Sequence, residues 1–223
     1  MKTRNSPPRL FYFIVLFVFT GPAKGQFIVD QFADAFNAPS PSGELGGPII
    51  SEFDTVVQTF TVGIGGLLTS VEVQVQQGDV PDVPTDDLVM TIRPTTAGVP
   101  DFSQSFGSVS LPATTIPPFD NFTSGPFTSF DVSGLNIMVS PGQVLAIDLS
   151  YPTGTGSYFI YDAEVPIYAG GSTFVLGVAD GFFADTGRDS GFRTTVLIPE
   201  PSSLLMLGFG ALVLFRRRRG DMV

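Results

Sequence analysis

Carboxylates are the reactive groups this chain has in number. Histidine and cysteine are absent, which removes Ser-His-Asp and Cys-His nucleophilic arrangements together with imidazole and thiolate metal sites. Asp79, Asp82, Asp86 and Asp87 crowd one Pro-rich stretch, and Asp180, Asp185 and Asp189 crowd a later Gly-rich one. Hard oxygen ligands of this kind, with backbone carbonyls nearby, suit calcium. Neither stretch has EF-hand spacing, and Asp in such sequences serves equally to bond its own turn. A pair of acids such as Glu52 and Glu72 could run glycoside hydrolysis, yet no motif selects a pair and the chain has no Trp to line a sugar cleft. No enzyme is expected, and no cofactor other than calcium. The adjacent Phe182 and Phe183 form the candidate for stacking on a glycan, assisted by Tyr158, Tyr161 or Tyr168. Two neighbouring aromatics in a loop cannot both face one core.

The elements that would position these groups read as strands. Val71-Glu72-Val73-Gln74-Val75-Gln76 and Leu145-Ala146-Ile147-Asp148-Leu149-Ser150-Tyr151 alternate, each offering one apolar face. Further strands are expected over 27–32, 56–62, 88–93, 106–111, 127–132, 157–161, 173–178 and 191–197, separated by Gly, Pro, Asp, Ser and Thr turns. No stretch of this region keeps a helical period for three turns. About ten short strands predict an all-β fold, an antiparallel jelly-roll-like β-sandwich, with a closed barrel as the alternative. Most phenylalanines, among them Phe53, Phe60, Phe102, Phe106, Phe119, Phe122, Phe127, Phe130, Phe159, Phe174 and Phe192, are expected in its core and corners.

Both ends of the chain differ from this middle. Lys2, Arg4 and Arg9 precede the apolar run Leu10 to Thr20, and Ala23 and Gly25 supply the small residues that a signal peptidase checks. Residues 1–25 are therefore expected to be a signal peptide, cut before Gln26. At the other end Pro199-Glu200-Pro201-Ser202 leads into an apolar run through Phe215 and then Arg216, Arg217, Arg218 and Arg219. The prolines fix their own φ and push Ile198 and Glu200 toward extended backbone. Residues 202–215 would make about 21 Å of helix at ~1.5 Å per residue, short for a permanent span of a ~30 Å hydrocarbon core. The arginines hold the tail's end on the cytoplasmic side. Removing both ends leaves one β-sandwich domain over 26–197. Three arginines face nineteen carboxylates there, a net charge of −16, which sets nucleic acid aside as a partner.

The ordered triad of a Pro-Glu-Pro strip, an apolar segment and an arginine cluster over residues 198–223 resembles the PEP-CTERM sorting signal. The resemblance implies export from a Gram-negative bacterium and a membrane-anchored intermediate. It also implies recognition of Pro199, Glu200, Pro201 and Ser202 by an exosortase, with delivery to the cell surface or extracellular matrix. An ordinary tail anchor is the alternative for the same residues. Residues 58–62, 65–71, 84–93, 168–172 and 190–196 together resemble bacterial choice-of-anchor modules, which are extracellular β-sandwiches. The last of these stretches departs from that pattern at Gly191, ahead of Phe192-Arg193-Thr194. These resemblances imply an exported, non-enzymatic surface or matrix protein, with signal peptidase and exosortase as processing enzymes and exopolysaccharide or biofilm envelope as its setting. A carbohydrate-binding module is the alternative.

Overall fold

Alternation along the middle of the chain is realised as two antiparallel sheets. The computed structural model describes residues 25–38, 49–51, 54–151, 154–177, 181–185 (backbone only) and 187–198. Residues 1–24 of the expected signal peptide and 199–223 of the expected sorting tail lie outside the described residues. In chain order the strands are β1 Gln26–Ala33, β2 Ile49–Ile50, β3 Asp54–Thr61, β4 Gly66–Gln77, β5 Leu88–Thr96, β6 Val99–Pro100, β7 Gly107–Leu111 and β8 Phe127–Asp131. They continue as β9 Met138–Val139, β10 Val144–Ser150, β11 Tyr158–Ile160, β12 Asp162–Ala163, β13 Thr173–Gly177, β14 Gly181–Asp185, β15 Asp189–Ser190 and β16 Phe192–Ile198. Every strand expected from the sequence is present, and the described residues contain no α-helix, only two short 3-10 turns.

The first sheet is built on β4, twelve residues long, which pairs with β16 and, through it, with β1, and also with β8, β9 and β11. The second runs β14-β13-β3-β10-β5, with β6 and β7 on β5. Between them sits one large apolar core. It takes Leu68, Val71, Val73, Val75, Phe130, Phe192 and Val196 from the first sheet and Val56, Phe60, Leu88, Met90, Ile92, Leu145, Ile147 and Leu149 from the second. These are the alternate positions of each strand, and two sheets sharing one core make a β-sandwich.

Two expectations need correction. Residues 181–185, read as a loop, form strand β14 and pair with β13 from Thr173↔Asp185 to Gly177↔Gly181. Gly-Phe-Phe-Ala-Asp has no alternation to announce a strand, so its pairing comes from the partner backbone. The phenylalanines also divide more evenly than expected. Phe60, Phe130, Phe174 and Phe192 are buried, but Phe102 and Phe106 are exposed. Phe119, Phe122, Phe127 and Phe159 are half-buried on the outside of the first sheet, because the core is already filled by aliphatic side chains and tyrosines.

On the outer face of the second sheet Asp148 is buried and receives the Arg93 Nε–H at 2.6 Å. Arg93 also donates to the carbonyls of Phe102 and Gln104 and lies over the Phe102 ring, 5.3 Å from its centre. Burial pushes the Asp148 carboxyl above its ordinary value, and the bond and charge of Arg93 only partly offset this. A folded-state value above the unfolded one, about 3.9, means that the native state binds more protons. This contribution is fully present below the unfolded value and is lost as pH rises through the folded one. The stability advantage of wild type over Asp148→Asn is therefore expected to be larger at pH 4 than at pH 7 in urea unfolding. An advantage that grows with pH would mean that Arg93 outweighs burial.

Candidate functional site

Sheet register brings four side chains together on the outer face of the first sheet. Phe32 of β1 stands opposite Arg193 of β16, Arg193 opposite Glu72 of β4, and Glu72 opposite Ser129 of β8. Arg193 donates to both Glu72 oxygens, from Nε to Oε2 and from Nη2 to Oε1 at 2.7 Å. Its guanidinium lies over the ring of Phe127, 5.1 Å from the centre, and that ring packs on Phe32 at 5.8 Å. Donating to the Glu72 carboxylate holds Arg193 still more firmly in its charged form. Phe32 is half exposed, at 51%, so the strip offers a ring face and a fixed, planar ion pair to solvent. That combination can stack on a sugar ring and bond its hydroxyls. Outward alternation in Val71-Glu72-Val73 marks Glu72 as a surface residue, but nothing local links it to Arg193.

The expected stacking tyrosines are not available for that work. Tyr158 and Tyr161 are buried, and their hydroxyls donate to the carbonyls of Asp86 and Ser124. Tyr168 is half-buried and donates to Gln31 Oε1 at 2.9 Å while its oxygen accepts the Thr61 N–H at 3.0 Å. Burial pushes the phenols of all three upward. They close the sandwich instead of lining a groove. The side chains of Phe182 and Phe183 lie outside the described residues.

The carboxylates expected to hold calcium do not gather. Asp79, Asp82, Asp86 and Asp87 are exposed on the connection from β4 to β5. No group of three or more carboxylates that could hold a metal ion occurs among the described residues. Asp79 bonds the N–H of Val80, as a turn residue does. Asp180 and the side chain of Asp185 lie outside the description, as does Glu52. Asp189 has a different task. It is buried, and its Oδ2 accepts the N–H groups of Ile167 and Tyr168 at 2.8 Å each. Gln58 links it to the sheet: Nε2 reaches Asp189 Oδ1 at 3.4 Å, and Oε1 accepts from Thr173 Oγ1 at 2.7 Å and Ser190 N at 2.9 Å. Burial raises the Asp189 carboxyl's value against the pull of those donors. This network fastens the segment before β13 to β3.

The described domain ends on β16, whose last residue, Ile198, pairs with Gln26 at the start of β1. The strip Pro199-Glu200-Pro201 follows directly in sequence. Residues 197–219 match the PEP-CTERM protein-sorting motif. The motif marks an exported protein, sorted by an exosortase in a Gram-negative cell through a membrane-anchored intermediate. No curated protein matches the chain. The motif covers the tail and the last two residues of β16. The Phe32–Phe127–Arg193–Glu72 surface lies on the domain that precedes the motif.

Proposed function

We propose that this is a non-enzymatic surface or matrix protein. It is held by its tail until the exosortase processes Pro199-Glu200-Pro201, and then takes its place in exopolysaccharide or biofilm envelope. Signal peptidase would remove residues 1–25. The observation that carries the reading is the order of the tail, with a rigid strip, an apolar run and a cationic stop starting at the last residue of β16. Support also comes from the strongly acidic domain, which stays soluble among anionic polymers, and from its resemblance to choice-of-anchor modules. Mass spectrometry of both termini, in membrane, surface and medium fractions of the native host, tests it. A C-terminus within 199–202 outside the membrane is the expected result. An intact Arg216–Val223 end confined to the membrane would make the protein a plain anchored one.

A second reading, carbohydrate binding, is favoured by one specific observation, the exposed Phe32 beside the Phe127–Arg193–Glu72 arrangement. On a glycan array, Phe32→Ala is expected to weaken any bound glycan about tenfold, as loss of a central aromatic contact does. Phe183→Ala on the same array reads the other aromatic candidate. Binding that neither substitution alters would place the glycan elsewhere.

A further inference from the structure

The acidic residues of this domain are unevenly placed along its length. β4 rises about 40 Å over its twelve residues, and the connections at its two ends differ in kind. Beyond its C-terminal end lie the exposed Asp79, Asp82, Asp86 and Asp87. At its N-terminal end the converging segments 55–71, 94–100, 132–147 and 194–198 carry no charged residue. Strand pairing and loop bonds bring them together: Gly66↔Val139, Leu197↔Leu67, Val144↔Thr61, Leu145↔Pro94, and the Val62 N–H donating to the Gln143 carbonyl at 2.8 Å. Among the described carboxylates, Asp101 and Asp131 adjoin these segments in sequence and Asp30 reaches them by hydrogen bonds. Each is occupied by backbone donors: Asp30 by Gly63 and Ile64, Asp101 by Ser103, and Asp131 by Ser133.

This end also carries an apolar row on the outer face of the first sheet. Phe27 of β1, Leu197 of β16, Leu67 of β4 and Met138 of β9 are successive partners across four strands. Phe27 is 67% and Met138 65% exposed. The sorting tail leaves from Ile198, the neighbour of Leu197 in sequence. Six peptide steps take the chain from Ile198 to the apolar run at Leu204, at most about 22 Å when fully extended. The headgroup layer occupies roughly 5–8 Å of that distance. A leash so short keeps the Ile198 end of the domain, and the apolar row beside it, within reach of the bilayer.

We infer that the Phe27–Leu197–Leu67–Met138 row is a lipid-contact surface, seated in the headgroup region of the membrane while the tail is uncut. It rests on the anchored intermediate of the proposed function. Its occupant is the bilayer interface, since an apolar, uncharged row avoids the repulsion that the rest of this acidic domain has for anionic lipid.

The chain has no cysteine, so single-cysteine variants report one position each. Full-length Met138→Cys and Val80→Cys proteins, labelled with an environment-sensitive fluorophore, are inserted into phosphatidylcholine vesicles with and without headgroup-nitroxide lipid. Val80, 78% exposed, serves as the distant reference. Quenching at 138 is expected to exceed that at 80 at least twofold, and Phe27→Ser in the Met138→Cys background is expected to reduce it. Equal quenching at the two positions, in protein that floats with the vesicles, overturns the inference and leaves the anchor standing. A blue shift at 138 without nitroxide quenching assigns the row to a second protein copy and overturns it as well. Failure to float removes the anchor and the inference together.

Discussion

Replacing Pro199, Glu200 and Pro201 together with alanine is expected to leave the protein full length in the membrane fraction, with the released form reduced by between about thirtyfold and a thousandfold. In the proposed function the strip is bound in an extended conformation, toward which its prolines bias it. Two prolines restrict the strip's unfolded choices, and removing them returns about 0.5 kcal/mol of ordering cost each at the moment of binding. Glu200 is the strip's single charge, and a carboxylate held by matched donors contributes about 1.5–3 kcal/mol. Together these terms amount to roughly 2–4 kcal/mol, at 1.4 kcal/mol for each factor of ten. The domain provides the control, because β16 ends at Ile198 and its melting temperature should stay unchanged. Processing at the wild-type rate would mean that the strip is not what is read. Changing Arg216–Arg219 to serine tests the stop separately: the strip is intact, and loss of processing then traces to misplaced topology.

Gln74→Leu is expected to destabilise the domain by about 3 kcal/mol, since it strips partners from several buried groups at once. The Gln74 side chain is buried at the point where β4 changes partner from β16 to β11: its backbone N–H donates to Gly191 O, and its carbonyl accepts from Tyr161 N. Its Oε1 accepts the N–H of Ala35 at 2.8 Å and of Phe36 at 3.3 Å. Its Nε2 donates to Asp34 Oδ1 at 2.9 Å and Gly125 O at 3.1 Å. Leucine fills the same volume and satisfies none of these. The same amide explains Gly191, where an added Cβ would overlap Gln74 Oε1. Gly191→Ala should therefore cost about 1–3 kcal/mol by overpacking. In a double-mutant cycle with Gln74→Ala, which opens the space, the two costs should fall short of adding by about 1 kcal/mol. Urea unfolding of Gln74→Leu and of the four proteins of the cycle reads all of this. Strict additivity would break the link between Gly191 and the amide.

Strand positions were legible where alternation was strong. Val71 to Gln76 sits within β4 and Leu145 to Ser150 within β10, with Tyr151 just beyond it, and Val71, Val73, Val75, Leu145, Ile147 and Leu149 face the shared core. Legibility failed where a segment borrows its structure from a neighbour. Gly181–Asp185 has no pattern of its own and becomes a strand by pairing with β13. It failed again for Asp189, whose Asp-rich surroundings point to a solvated turn or a cation. The chain buries it under two backbone donors instead. A tyrosine reads as a platform from composition, yet Tyr158 and Tyr161 are core residues whose hydroxyls find backbone carbonyls.

What the sequence by itself determined is what depends on type and order along the chain: an exported substrate with its address at the tail, an all-β class from period-two alternation, and an acidic domain without imidazole or thiol chemistry. Tertiary structure alone decided which charges are spent on each other and which surfaces are left. Arg193 meets Glu72 across 121 positions, and Gln58 meets Ser190 across 132. The row Phe27, Leu197, Leu67 and Met138 assembles from strands that are far apart in the chain. Pairing at such range is set by register across whole sheets, since a slip of one residue turns every side chain to the opposite face, and no local spacing encodes it.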